Sequence, residues 1–291
     1  MNRSLRPLIF LIVLAGILYT AWFVFRSNET SAPTVETVTS GQSGTVNLIS
    51  WNLFNFGKSK SPEDIAFIAE TLRDADVVAV QEVSTGVAGA KAVAALSDEL
   101  NRKGAKWDYV VSDATTGEGT ERYAFLWKTH RLKLKGKPFL IPELASKIDR
   151  EPFLARFESA GKTFSVVSFH AIPTSKKPQT ETSKLDDVVA SYPNDNLIFV
   201  GDFNLSESHE GFDDLKDAGF QPSFTKTKTS LKMKKSDGEH LANEYDNLFF
   251  HPKKIKKARA AAIDFSQKFN SLDKARDISD HLPVELEFMV Y

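Results

Sequence analysis

Carboxylates, amides and two histidines stand at the ends of apolar runs throughout this sequence. ISWN ends on Asn52, VVAVQ runs into Glu82, SVVSF meets His170, and LIFVG meets Asp202 with Asn204 two residues on. Tyr245 and Asp246 stand just before NLFF, and Asp280 and His281 just before the last apolar run. Side chains at strand ends can converge on one rim of a sheet, where a rigid scaffold holds the loops. Taken singly, each has a plainer reading: Asn52 or Asp246 as a turn former or helix cap, Glu82 as the first solvated loop residue, His170 as a satisfied interior histidine. Their sum points to a constructed site. Hard oxygen ligands with two histidines suit Mg²⁺ or Mn²⁺ and hydrolysis of a phosphate ester by activated water. A zinc site would recruit several histidines, often paired on one helix, and no such pairing occurs. There is no cysteine, no G-x-S-x-G elbow, no P-loop and no G-x-G-x-x-G after a strand, so thiol chemistry and the usual nucleotide cradles are excluded.

The elements that must position these residues can be read from periodicity. TVNLISWN (45–52) predicts a strand. Ser61-Pro62-Glu63-Asp64 carries a cap, a proline at the first helical position and an acid at the third, and Ile65, Ile68 and Leu72 continue at helical spacing. VVAV (77–80) is apolar throughout, as in a strand covered on both faces. Val93, Leu96 and Leu100 mark a second helix. Strands are expected over 107–112, 122–128, 152–158, 163–170, 197–200, 247–250 and 284–290, with helices around 181–191 and 209–217. The mixture indicates stacked sheets with helices outside.

Residues 8–25 form an apolar run broken only by Gly16 and Thr20, preceded by Arg3 and Arg6 and followed by Arg26. At about 1.5 Å per residue it reaches roughly the thickness of a bilayer core. Residues 1–26 therefore read as a retained signal anchor. The positive-inside rule puts the chain beyond Arg26 outside the cytoplasm of a single-pass cell-membrane protein, or secreted if the segment is cleaved. Residues 27–45, rich in Ser, Thr and Gly, read as a flexible linker, leaving 46–291 as one domain. A balance of 37 Lys and Arg against 38 Asp and Glu excludes a wholly basic nucleic-acid coat.

SWN (50–52), VAVQEV (78–83), RYAFLWK (122–128), REPF (150–153), SFHAIP (168–173), GDFN (201–204), EYDNLFF (244–250) and SDHLPVELEF (279–288) occur in the order and spacing of the endonuclease/exonuclease/phosphatase superfamily. Within it the chain most resembles the pancreatic-type deoxyribonucleases. The resemblance implies an α/β fold, a four-layer α/β/β/α sandwich of two packed mixed sheets with outer helices, and a site at one rim between the sheets. It implies Glu82 as principal metal ligand with Asn52 and Asp280 beside or on the metal, and His281 acting with Asp246 behind it. His170 would be oriented by Glu121, while Asp202 would align or activate water or bind a second metal. Asn204, Arg150 and Tyr245 would contact phosphate. The implied reaction is in-line attack of water on phosphorus. Our assignment takes His281 as general base and His170 as general acid, with the reverse left open.

Two departures bear on substrate. The family's minor-groove arginine after Gln-Glu-Val is Ser84 here, and a tyrosine two residues before the motif's acid is Gly119. Lysine-rich stretches at 226–235 and 253–257 offer phosphate contacts instead, or are simply a solvated loop and a protected strand edge. The expected activity is that of a Mg²⁺- or Mn²⁺-dependent nuclease of low sequence specificity with DNA as substrate, membrane-held through the N-terminal helix and with no protein partner implied. The alternatives are a phosphatase or lipid phosphodiesterase, and a non-catalytic binding module.

Overall fold

A computed structural model describes residues 44–57, 60–236 and 238–291. The apolar run 8–25, and with it the expected anchor and all of the expected linker except Gly44 and Thr45, lies outside the described residues. Among the described residues no helix is long and apolar enough to cross a membrane.

The chain opens with β1 (Val46–Phe56), α1 (Pro62–Leu72), β2 (Val77–Val83) and α2 (Val87–Arg102). Ser61 caps α1 as its sequence predicts: its hydroxyl accepts from the Asp64 amide at 3.2 Å, and the Asp64 carboxylate accepts from the Ser61 amide at 2.8 Å. Strands β3 (Trp107–Val111), β4 (Arg122–Lys128), β5 (Lys133–Leu134), β6 (Phe139–Leu140), β7 (Phe153–Ser159) and β8 (Lys162–His170) come after these. Next are α3 (Gln179–Thr182), α4 (Leu185–Ser191), β9 (Leu197–Asp202), α5 (Asp213–Asp217) and β10 (Gln221–Pro222). The chain closes with β11 (Leu231–Ser236), β12 (Glu239–Leu241), β13 (Asp246–Phe250), β14 (Ile255–Ala262), α6 (Leu272–Ile278) and β15 (Val284–Val290).

Two mixed sheets result. One has the order β14-β15-β1-β2-β4-β3 and the other β10-β13-β9-β8-β7-β5, with β6 also on β7. The pairs β1/β2 and β8/β9 are parallel, and the remaining pairs are antiparallel. Alternation along β2 shows how the layers form: Val77 and Ala79 face inward to Phe153, Val166 and Val200 of the other sheet, whereas Val78 and Val80 face outward to Ile68, Leu72 and Leu96. The outer face of the second sheet packs Val167, Phe199 and Phe249 against Leu185, Val188 and Leu215. These are the four layers that the resemblance implied.

Three local expectations differ. The helix expected over 181–191 is broken into α3 and α4 because Glu181 turns inward, where its carboxylate accepts from the amides of Asp149 at 2.6 Å and Ile172 at 2.8 Å. The helix near 209–217 shortens to α5 after a 3₁₀ turn over Glu210–Phe212. The two lysine stretches part company. Residues 253–257 lead into edge strand β14 at the end where Ile255 pairs with Val290, while His281 lies beyond the opposite end, where Ala262 pairs with Val284. They protect an edge and do not reach the site. Residues 226–235 run alongside the loop of Asp280 and His281, through a Ser230–His281 bridge and Leu231 N donating to Asp280 O at 2.7 Å.

Candidate active site

The ends of β1, β2, β8, β9 and β13 gather at one rim. A glycine makes the central approach possible. Gly201 has φ +139°, and a Cβ there would lie 1.9 Å from the Phe169 carbonyl oxygen, so only glycine lets β9 run close enough to pair His170 with Asp202. On the first sheet, pairing is interrupted between Val80 and Val83 and between Asn52 and Phe56. Glu82 sits in this irregularity with φ +59°, a left-handed conformation costly for a side chain of its size. The turn re-aims its carboxylate. Oε1 accepts from Asn52 Nδ2 at 3.0 Å and Oε2 from the Asn55 amide at 2.7 Å, while the Phe54 amide donates to Asn52 Oδ1 at 3.1 Å.

Asn52 is fully buried and joins both sheets, since Nδ2 also donates to Asp202 Oδ2 at 3.1 Å. Below it, Gln81 makes a second tie: Nε2 donates to Ser50 Oγ at 3.1 Å and to Ser168 Oγ at 2.8 Å. Ser50 and Ser168 stand two residues before Asn52 and His170, on the same strand faces. This buried amide therefore sets the spacing of the side chains above it.

Two imidazole–carboxylate pairs cross between the sheets. His170, at the end of β8, has Nδ1 2.9 Å from Glu121 Oε2, and Glu121 precedes β4 of the other sheet. His281, just before β15, has Nδ1 2.8 Å from Asp246 Oδ2 at the start of β13. Both Nε2 atoms face Asp202 Oδ2, at 3.4 Å from His170 and 3.5 Å from His281. All four partners and Asp202 are buried. Burial opposes a charge on His281, but Asp246 and Asp202 outweigh it and hold its pKa well above the ordinary value. Burial likewise opposes a charge on His170, and Glu121 reverses the balance to leave its pKa raised. Burial pushes Asp246 up to about 6 against the pull of His281. With His281 raised well above the ordinary imidazole range, the imidazole competes with the Asp246 carboxylate for the proton the pair shares.

Glu121, His170, Asp202 and His281 line a cleft of about 330 Å³ with Glu82, Asn55, Ser84, Arg150 and Asn204. Arg150 is less free than a phosphate clamp would be, since Nε donates to His170 O at 2.9 Å and Nη2 to Ala171 O. Asn204 has φ +49° and donates from Nδ2 to Ala171 O at 3.0 Å. Tyr245 stands outside the cleft wall: its ring stacks beside His281 with centroids 6.3 Å apart, and its hydroxyl oxygen accepts from Thr174 Oγ1 at 2.9 Å. Asp280 is half-buried; Arg276 holds Oδ2 at 3.2 Å, and Oδ1 is buried with no hydrogen-bond partner among the described residues.

That orphaned oxygen and the Glu82 carboxylate fit a hard cation, which prefers oxygen ligands. Asp202, Asp246 and His281 also offer ligand atoms within 4.8 Å of one another. His281 and Asp246 are committed to each other, Asp246 also to Thr229, and Asp202 accepts from Asn52 Nδ2 and the Asn204 amide, so this trio is better matched to moving protons than to holding an ion.

Sequence reasoning missed several residues. Thr229 donates to Asp246 Oδ2 at 2.8 Å and accepts from the amides of Tyr245 and Asp246 at 3.1 and 2.9 Å, yet a threonine inside a lysine-rich stretch gives no signal. Ser84 was legible only as a missing arginine; its buried hydroxyl has no partner among the described residues and borders the cleft. Gly119 also has a physical reason. A Cβ there would meet Arg150 Nη1 and Asp149 Oδ2, each at 2.4 Å, so a tyrosine would displace the arginine.

A sequence model of the endonuclease/exonuclease/phosphatase family matches residues 49–281. The chain belongs to that family. A deoxyribonuclease of Thioalkalivibrio sp. (strain K90mix) is 30% identical over 265 residues, covering 83% of this chain and 70% of the relative. Human deoxyribonuclease gamma is 26% identical over 268 residues, covering 82% and 85%. A solved family protein from Bacteroides thetaiotaomicron superposes with a TM-score of 0.65 at 18% identity, covering 86% of this chain and 99% of that structure, which places the fold. This family member is a hydrolase of phosphodiester bonds, with an acidic site able to hold a metal ion.

Proposed function

We propose that this chain is a Mg²⁺- or Mn²⁺-dependent nuclease that cuts DNA with little sequence preference. The observation that carries the reading is the pair of cross-sheet imidazole–carboxylate dyads converging on Asp202 beside Glu82. Glu82 and Asp280, with Asn52 positioning Glu82, would hold the divalent ion, and the ion when bound would offset charge building on the phosphate oxygens. The rest is work for this chain's own side chains. His281 Nε2 takes the proton of the attacking water, with Asp246 fixing its tautomer, and Asp202 orients that water. His170 Nε2 returns a proton to the leaving oxygen, with Glu121 behind it. Asn204 and Arg150 bound the space for the phosphate, Tyr245 backs it from beside His281, and the unpaired Ser84 hydroxyl offers a further donor.

The deoxyribonuclease relatives support DNA as substrate, and the apolar run at 8–25 supports an enzyme held at the cell membrane with its domain outside the cytoplasm. The test incubates the full chain with plasmid DNA and Mg²⁺ or Mn²⁺ beside sphingomyelin and inositol phosphates. Nicking that is lost in both His170→Ala and His281→Ala, with the fold retained by circular dichroism, is the expected result. Turnover of a small or lipid phosphoester with intact plasmid would reject the nuclease reading. The mass of the membrane-extracted protein tests retention of the N-terminal segment.

A further inference from the structure

The winding of the backbone around Glu82 has a by-product. With the amides of residues 54 and 55 turned toward Asn52 and Glu82, Phe54 has φ +25° and its side chain points outward. It is 39% exposed, whereas Trp51 and Phe56 on the same strand are fully buried. Phe54 walls a second cleft, of about 510 Å³, with Phe269, Asp64, Lys274, Arg276 and Asp277. Two bonds fix this cleft beside the candidate metal carboxylates: Phe54 N to Asn52 Oδ1 at 3.1 Å, and Arg276 Nη2 to Asp280 Oδ2 at 3.2 Å. The ammonium of Lys60 lies 5.8 Å from the Phe54 ring centroid.

Arg276 also donates from Nη1 to Leu231 O at 2.8 Å, which ties the cleft to the start of the β11–β12 hairpin. That hairpin carries Lys234 and Lys235 exposed to solvent on its first strand. An aromatic face next to the reacting centre, followed by exposed cations, is the arrangement that binds an unpaired strand: bases stack on rings while cations track phosphates. A duplex keeps its bases stacked on each other and has no use for a ring at this position. Ser84, which borders the first cleft, and Gly119 offer no long side chain to reach into a duplex groove.

We propose that the Phe54 cleft is a nucleobase subsite, with Phe54 as its stacking surface, so that this enzyme prefers nucleic acid with an unpaired base beside the scissile phosphate. Lys234 and Lys235 hold the phosphates of the strand leading to it. The inference rests on the nuclease reading above and names the form of its substrate.

The experiment uses the full-length protein in detergent. Plasmid and single-strand cleavage by the wild type judges the nuclease reading alone. The subsite is read separately, without turnover, from the fluorescence of a single-stranded oligonucleotide containing 2-aminopurine in EDTA. Stacking on Phe54 quenches the probe; Phe54→Ala is expected to abolish the quench and to raise KM for single strands about tenfold more than for duplex, and Phe54→Trp to restore both. Lys234→Gln with Lys235→Gln is expected to flatten the plot of log Kd against log salt by about 0.7 for each phosphate no longer neutralised. Quenching by Phe54→Ala equal to wild type, or equal KM increases on single and double strands, overturns the subsite even if DNA is cut. An unchanged salt slope removes the hairpin from the path.

Discussion

The two imidazole–carboxylate pairs are built alike and tuned differently. Each takes its histidine from one sheet and its carboxylate from the other, and each turns Nε2 toward the same oxygen of Asp202. Among the described residues, the Asp246 carboxylate meets His281 and the Thr229 hydroxyl. Glu121 is divided: it also accepts from the Glu82 amide at 3.2 Å, and Arg150 Nε lies 3.8 Å away. The Arg150 charge opposes protonation of His170, whereas the main influences on His281 from the described residues are burial and the carboxylates of Asp246, Asp202 and Asp280. His281 is accordingly raised well above the ordinary imidazole range and His170 by less. Similar geometry thus yields two proton affinities, which a reaction needing both an acceptor and a donor requires.

The largest effect should come from breaking the more isolated pair. Asp246→Asn is expected to lower kcat by roughly 10³-fold, within the range for losing acid–base catalysis, with Tm almost unchanged because the amide fills the same space. Glu121→Gln should cost less, about 10–100-fold, as losing an orienting partner does, since Arg150 already discounts its charge; equal losses in the two variants would show that the tuning is irrelevant. A pH profile sharpens the contrast. A base must be neutral, so a raised His281 pKa places the rising limb of activity on its alkaline side, and the activity remaining in Asp246→Asn should reach its plateau at lower pH. If that limb instead moves in Glu121→Gln, the acid and base roles are exchanged. Smaller still, Thr229→Val should reduce kcat by about tenfold through loss of support for Asp246, measured at saturating substrate. Ser84→Ala should change KM by only a few-fold, about one neutral hydrogen bond, with kcat retained.

Much of this contrast was legible in the sequence, and the unread part has a common cause. Asn52, Glu82, His170 and Asp202 announce themselves because each ends an apolar run, and the four layers follow from runs such as VVAV that need cover on both faces. Tuning comes from neighbours distant in sequence, and those carry no local signature. Thr229 lies 17 residues from Asp246, and Glu121, 49 residues from His170, was reached only through the family resemblance. The left-handed turn at Glu82 was equally silent, because a non-glycine residue gives no warning of positive φ. The hairpin of β11 and β12 went unread since lysines and Met233 obscure its alternation, and α4 begins late only because Glu181 is claimed by two remote amides.

The cross-sheet construction of both pairs makes turnover an assembly sensor. Neither sheet by itself contains a complete dyad, and Gln81 locks the register only when Ser50 and Ser168 from opposite layers meet it. A half-formed sandwich, however much secondary structure it has, owns two stranded histidines and no proton relay. Hydrolysis through these dyads therefore requires the two layers to be packed on each other, and a chain with its sheets apart has no relay to use.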